Sequence, residues 1–440
     1  MDNHKLGRLN RLLILAALSA VVITIFSLGC GKSTDGSAKA NTEKTKDVTA
    51  AQIFGNPAYR AISYGGYRVN NRDVQPTVAE LKEDMLLLQA MDIKLLRTYN
   101  THLAQASNIL AAIHELKTED PNFEMYVMLG AWMDCKGAFT ANPDHNVEDT
   151  TANAAEIERA VKMAKQYPDI VKVIAVGNEA MVKWAASYFV QPGVILRWVN
   201  HLQSLKAKGE LPESLWITSS DNFASWGGGG GEYHVPDLEK LVQAVDYISL
   251  HTYPMHDTHY NPEFWGVTAA QAKLSKEQQS KAAMDRAVQY AQMQYQQVTD
   301  YIRGLGATGK PIHIGETGWA TSSNGFFSPK GSKASDEYKS ALYHQGIREW
   351  TDQAGISCFY FEAFDENWKD AQNPGGSENH FGLFTIDGKA KYAIWDLVDN
   401  GAFEGLGRNG QPVTKTYDGD KAALLETLAA PPMMAEEPAQ

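Results

Sequence analysis

Two glutamates occupy the same setting along this chain. Glu179 follows an apolar run at 171–176 through Gly177-Asn178, and Glu316 follows a run at 311–314 through Gly315. Aromatic residues fall at comparable run ends: Tyr64, Tyr99, Trp132, Tyr253, Trp319 and Trp368. A carboxyl group beside such side chains is partly desolvated, and an ionised neighbour raises its pKa further. One group held neutral and one held charged is what cutting a glycosidic bond requires. The neutral acid protonates the leaving oxygen while the carboxylate attacks the anomeric carbon. If the two groups stand roughly 5–5.5 Å apart, the result is double displacement with retained stereochemistry. Asn178, beside Glu179, is suited to bond the sugar 2-hydroxyl. A lone glutamate at such a position is usually a solvated loop residue. It is the conjunction of two, each behind a glycine and a buried-looking run among aromatics, that carries the reading. The aromatics would offer flat apolar faces to pyranose rings.

Other chemistries fit less well. His251, His256 and His259, with Asp257, do not share one helical face, and Pro254 interrupts them, so no metal is expected. Five glycines at 227–231 lack the Gly-Lys-Ser/Thr that phosphate binding needs, and no cofactor is expected. There is no Gly-x-Ser-x-Gly elbow, and Cys358 lies within an apolar run, as a buried free thiol would. The net charge of −12, with no basic cluster beyond the N-terminal region, argues against a nucleic-acid partner.

The positioning elements follow from pattern. Strand-like runs at 61–67, 93–99, 123–132, 171–178, 215–220, 246–253, 311–316 and 357–364 alternate with amphipathic stretches at 78–91, 103–116, 154–166, 194–207, 238–244, 276–305 and 334–353. An unbroken series of such units predicts an α/β fold, a single (β/α)8 TIM barrel, with chemistry at the C-terminal strand ends. Both glutamates fall there, on the fourth and seventh strands. The connection at 256–309, between the sixth and seventh strands, is long. Its length predicts a wall at one end of the cleft and an exo mode of attack.

Lys5, Arg8 and Arg11 precede an uncharged stretch at 12–29 and then Cys30. That order reads as an export signal, and Ser27-Leu28-Gly29-Cys30 resembles the bacterial lipobox. The expected organisation is a signal peptide at 1–29, lipid attachment (palmitate) at Cys30 and a flexible tether to 52, with an uncleaved signal anchor or plain secretion as the alternatives. A catalytic domain at 53–400 follows, then a partly disordered C-terminal extension at 401–440 with one helix near 421–428. A monomer is expected outside the cytoplasm, tethered to the membrane of a bacterial cell envelope: the outer membrane or periplasm if Gram-negative.

Four segments also resemble glycoside hydrolase family 17, the β-1,3-glucanases and β-glucan transglycosylases. They are Val176-Gly177-Asn178-Glu179, Gly315-Glu316-Thr317-Gly318-Trp319, Phe361 through Lys369 (Phe-Glu-Ala-Phe-Asp-Glu-Asn-Trp-Lys), and Asn379-His380-Phe381-Gly382-Leu383-Phe384. Arg97-Thr98-Tyr99 looks like the family's second-strand Arg-x-Tyr. The resemblance spans residues 60 to 395. It implies Glu179 as acid/base, Glu316 as nucleophile, further site residues at Glu366, Lys369 and Glu378, and a β-1,3-glucan substrate cleaved with retention. Departures occur at Ala320 and at His251 to His256, which leave linkage and acceptor preference open. Two alternatives stand beside hydrolysis. A transglycosylase would resolve the same covalent intermediate with sugar. A surface glycan-binding lipoprotein would have kept the barrel without catalysis, but it would not need a matched acid and nucleophile.

Overall fold

The computed structural model describes residues 48–434. Eight parallel strands close into a barrel: β1 (Arg60–Ser63), β2 (Ile93–Arg97), β3 (Tyr126–Ala131), β4 (Val171–Asn178), β5 (Trp216–Asn222), β6 (Ile248–His251), β7 (Ile312–Gly318) and β8 (Cys358–Phe361). β1 closes the ring by pairing with both β2 and β8. All eight predicted strands are present, and the (β/α)8 expectation holds.

The helices start and stop where their end residues dictate. Thr77 caps Val78–Ala90 in a capping box with Glu80, and Ser275 caps Lys276–Gly304 with Gln278. Pro192 and Pro236 open Pro192–Ala207 and Pro236–Ala244, where a missing N–H costs nothing. Gly355, at φ 65°, ends Glu337–Ala354 in the left-handed conformation that only glycine adopts cheaply.

Two apolar layers hold the barrel. The larger lies between strands and helices. The smaller fills the barrel interior with Ala61, Leu95, Met128, Val173, Tyr247 and Phe359, stoppered from below by Ala50, Ile53 and Phe54. Phe54 packs against Trp216, Tyr247, His313 and Phe359. The plug corrects one boundary: Ala50 is fully buried, so the chain from 48 to 52 belongs to the barrel and not to a tether.

The long connection is mostly the 29-residue helix Lys276–Gly304, which takes the ordinary place of a barrel helix and packs on Glu337–Ala354. Only its opening turn, Pro254–Tyr260, together with Asn261 and Gln294, reaches the cleft, so its length is no argument for an exo mode. Two short hairpins were not expected: Cys135–Lys136 with Asp144–Glu148, and Gly407–Arg408 with Gln411–Pro412. Residues 401–434 pack on the barrel, including a helix at Lys421–Glu426 and a fully buried Arg408. The expected partial disorder of 401–440 therefore does not extend over 401–434, and the residues after 434 lie outside the described ones. The predicted signal peptide, Cys30 and most of the tether lie outside the described residues. Among the described residues no helix is long and apolar enough to cross a membrane. Cys135 and Cys358 are buried free thiols.

Candidate active site

Both glutamates owe their direction to an irregularity in the strand. Between β4 and β5 the register runs Ala175↔Thr218 and then Asn178↔Ser220, so three residues advance against two around Gly177, whose φ is 82°. Between β6 and β7 the register slips in the same way, from Leu250↔Ile314 to His251↔Glu316. A bulge re-aims the side chains that follow it. Gly315 takes the inward place: a Cβ there would meet Ser249 Oγ at 2.2 Å and Ser220 Oγ at 2.5 Å. Glu316 is thereby turned over the barrel mouth. Glu179 sits in the left-handed region at φ 44°, strain that a non-glycine residue carries only where its surroundings enforce it. Here they do: Glu179 N–H donates to Ser220 O at 3.0 Å, and Met181 N–H to the Asp221 carboxylate at 2.8 Å.

Glu316 is clamped. Arg97, fully buried, donates to Glu316 Oε1 at 2.7 Å and to Gly315 O at 2.6 Å. Tyr253 Oη donates to Glu316 Oε2 at 2.9 Å. Burial would push this carboxyl up, but the His251 ring, the Arg97 guanidinium and the hydroxyls of Tyr253 and Tyr99 outweigh it and hold it below the ordinary carboxylate value. His251 links the two glutamates. Its Nδ1 lies 3.1 Å from Glu179 Oε1, while its Nε2 lies 2.8 Å from Ser220 Oγ and 3.1 Å from Arg97. One oxygen of each glutamate and a His251 nitrogen all fall within 4.8 Å of one another. That spacing could hold a metal ion, but Arg97 already supplies a positive charge to Glu316, and a cation would have to displace it.

The remaining sequence candidates divide. Asn178 is beside the pair, with Oδ1 taken by Arg97, which leaves its amide N–H free to meet a sugar hydroxyl. Tyr99 lies under the Arg97 guanidinium, 4.8 Å from ring to cation. Glu378 is at the cleft wall opposite His256. Lys369 does not pair with Glu366 alone. It donates to Glu362 at 2.8 Å, stands 3.3 Å from Glu366 and lies over the Phe361 ring. Trp368 lies beside this group, sandwiched by Arg72 and the edge of Tyr67. Two candidates do not face the cleft. Trp319 is fully buried behind β7 against Trp265 and Tyr343, with its indole N–H on Ala334 O. Tyr64 turns to the helix layer and donates to Asp84 at 2.9 Å. Alternation explains Tyr64: Ala61 is in the barrel interior, so Ile62 and Tyr64 must point outward.

Sequence reasoning missed three residues. His251 was weighed only as a metal ligand. Asp221, its carboxyl pushed up to about 6 by burial against its hydrogen bonds, orders the backbone after Glu179. Glu362 sat inside a quoted motif without a role. Pairing of neighbouring strand ends was the available signal, since His251 and Glu316 are register partners.

The glutamates open into a cleft of about 730 Å³ whose walls include Trp184, Tyr253, Tyr260, Phe361 and Phe381. A larger groove, about 890 Å³, lies on the barrel flank beside Tyr338 and Trp395 and contains neither glutamate. Residues 61–382 match the BtgE/BtgC glycoside hydrolase domain. The chain belongs to that family. Among solved structures, an endo-laminarinase from Formosa Hel1_33_131 is 65% identical, with a TM-score of 0.88 over 89% of this chain and 100% of the other. A β-1,3-glucanosyltransferase of Rhizomucor miehei, crystallised with laminaritriose, is 22% identical with a TM-score of 0.53 over 76% of this chain and 96% of that one, and shares the fold. A glucan 1,3-β-glucosidase of Arthroderma benhamiae is 24% identical over 60% of this chain and 70% of its own length. One from Saccharomyces cerevisiae is 35% identical over 20% of this chain and 28% of its own. The chain thus spans only part of the length of these curated relatives.

Proposed function

We propose that this chain is a retaining β-1,3-glucan hydrolase that cuts within chains, with Glu316 as nucleophile and Glu179 as acid/base. The observation that carries the reading is the closeness of the pair: one oxygen of each glutamate lies within 4.8 Å of the other, which fits the short carboxyl separation of retaining enzymes better than the wider one of inverting enzymes. Glu316, held ionised by Arg97 and Tyr253, attacks the anomeric carbon. Glu179, about a quarter exposed, gives its proton to the departing oxygen and afterwards takes one from the incoming water. The open cleft and the 65% identity to a protein described as an endo-laminarinase support the substrate and the internal mode of attack.

The deciding experiment is proton NMR of the first sugar released from laminarin. The β-anomer appearing before mutarotation is expected, and an initial α-anomer would sink the mechanism. Product lengths from the same reaction decide who completes it: chains longer than the input mean that sugar, not water, resolves the intermediate. We also propose export and anchoring through Cys30, supported by the Leu28-Gly29-Cys30 sequence behind a basic, apolar leader. Labelled palmitate should enter the wild-type chain and not Cys30→Ser.

A further inference from the structure

We propose that the loops after β3 and β4 form an aromatic platform, Trp132, Tyr188 and Phe139, that holds a stretch of β-1,3-glucan beyond the rings at the catalytic pair. The proposal rests on the glucan reading above and names where the rest of the chain lies.

The platform is a stack. Trp132 and Tyr188 have ring centroids 4.9 Å apart, and Phe139 stacks on Tyr188 at 5.4 Å with 25° between planes. It begins at the site, because Ala131 is the register partner of Val176, which puts Trp132 level with Gly177 and next to Asn178 and Glu179. The Tyr188 hydroxyl is raised by burial and then by the charges of Glu179, Asp221 and Glu316, as fits a residue at the edge of the cleft. Trp184, from the same loop as Tyr188, lines the cleft with Glu179. The rings therefore stand beside the cleft, on its Glu179 and Trp184 side.

The platform is also fixed before any ligand arrives. Phe139 N–H donates to Ser187 O at 2.7 Å and Cys135 N–H to Tyr188 O at 3.2 Å, tying the two loops backbone to backbone. His145 stacks on Phe189 at 3.7 Å and bonds its carbonyl at 2.9 Å. Preorganised rings lose little freedom on binding.

Phe139 carries two costs that folding does not explain. Its ring is 63% exposed, and its backbone is left-handed at φ 59°, where glycine or asparagine would be less strained. The exposed aromatics elsewhere follow the same distribution. Among the described residues those more than half exposed are Phe139, Trp184, Tyr260 and Phe326, at 57–63%, all in the connections that leave the C-terminal ends of barrel strands. Flat apolar faces around a polar cleft suit the CH faces of a pyranose chain.

The test compares kcat/KM on a long unbranched β-1,3-glucan with that on laminaritetraose. In Phe139→Ala the long-to-short ratio should fall about threefold to tenfold, the contribution of one aromatic contact. Phe139→Tyr should recover most of it, and Met293→Ala, which removes an exposed side chain on the Lys276–Gly304 helix, should leave the ratio at its wild-type value. A Phe139→Ala ratio equal to wild type overturns the platform while leaving the hydrolase reading intact. A wild-type chain that turns over neither glucan removes both. An unchanged ratio together with loss of a wild-type dimer on sedimentation would assign the patch to a second copy instead.

Discussion

Burial alone would push the Glu316 carboxyl up, so its lowered pKa is the work of its neighbours, the His251 ring first and then the Arg97 guanidinium, which bonds it at 2.7 Å. The sign follows. A carboxylate depressed in the folded state stays ionised, and the enzyme active, to lower pH than an ordinary glutamate would allow. The same pairing favours folding above the ordinary carboxylate pKa, and that contribution is lost as pH falls through the depressed value. Arg97→Leu should therefore move the acidic limb of the kcat/KM profile to higher pH, and lower the plateau by about 10²-fold as Glu316 loses its orientation. A limb that stays in place would show that Arg97 does not set the charge state. Glu179→Gln should cost about 10²–10⁴-fold in kcat on laminarin, the usual worth of a positioned acid. The cost should shrink on glucosides with good leaving groups, which need no proton. Equal loss on both substrates would remove Glu179 from the acid role.

At the scale of the element, the bulges matter more than the strands. Some strands could be read from the sequence because they are buried on both faces and so run apolar, as Tyr126–Ala131 and Cys358–Phe361 do; the others, such as Trp216–Asn222, were legible through their place in the alternating series. The seven amphipathic stretches are all helices. What could not be read was which way a strand-end residue turns, since a single extra residue reverses the side. Tyr64 and Trp319 were placed in the cleft for being aromatic at strand ends, and both point to the helix layer. The two hairpins were missed because strands of a few residues carry no measurable period, and the role of His251 because it exists only across strands. Gly315 makes the point testable. An added Cβ would collide with Ser249 and Ser220 and crowd His251. Gly315→Ala should lower the free energy of urea unfolding by about 1–3 kcal/mol, as overpacking does, and reduce kcat by more than that loss of folded protein explains. A variant with wild-type kcat would mean that the bulge is not what aims Glu316.

Over the whole molecule, the segment after residue 400 is a clasp on the barrel. Its hairpin was legible in principle: Asn409-Gly410 takes left-handed φ values of 54° and 69°, the turn that Asn-Gly favours between short strands. The hairpin delivers Arg408 into a fully buried site, where it bonds Asp84 at 2.9 Å and Tyr67 O at 3.1 Å. Asp84 also accepts from Tyr64 and pairs with Arg68 at 3.1 Å, so the Val78–Ala90 helix, the end of β1 and the C-terminal segment meet on one carboxylate. Removing one partner of a buried ion pair usually costs about 3–5 kcal/mol, because the other charge is stranded. Here Arg68 remains, so Arg408→Met should cost less, about 2–3 kcal/mol in urea unfolding. In an Asp84→Asn background the same substitution should cost under half as much, since the stranded charge is already gone. Equal costs in both backgrounds would mean that Arg408 acts through its packing on Phe364, 4.0 Å from the ring, and not through the carboxylate.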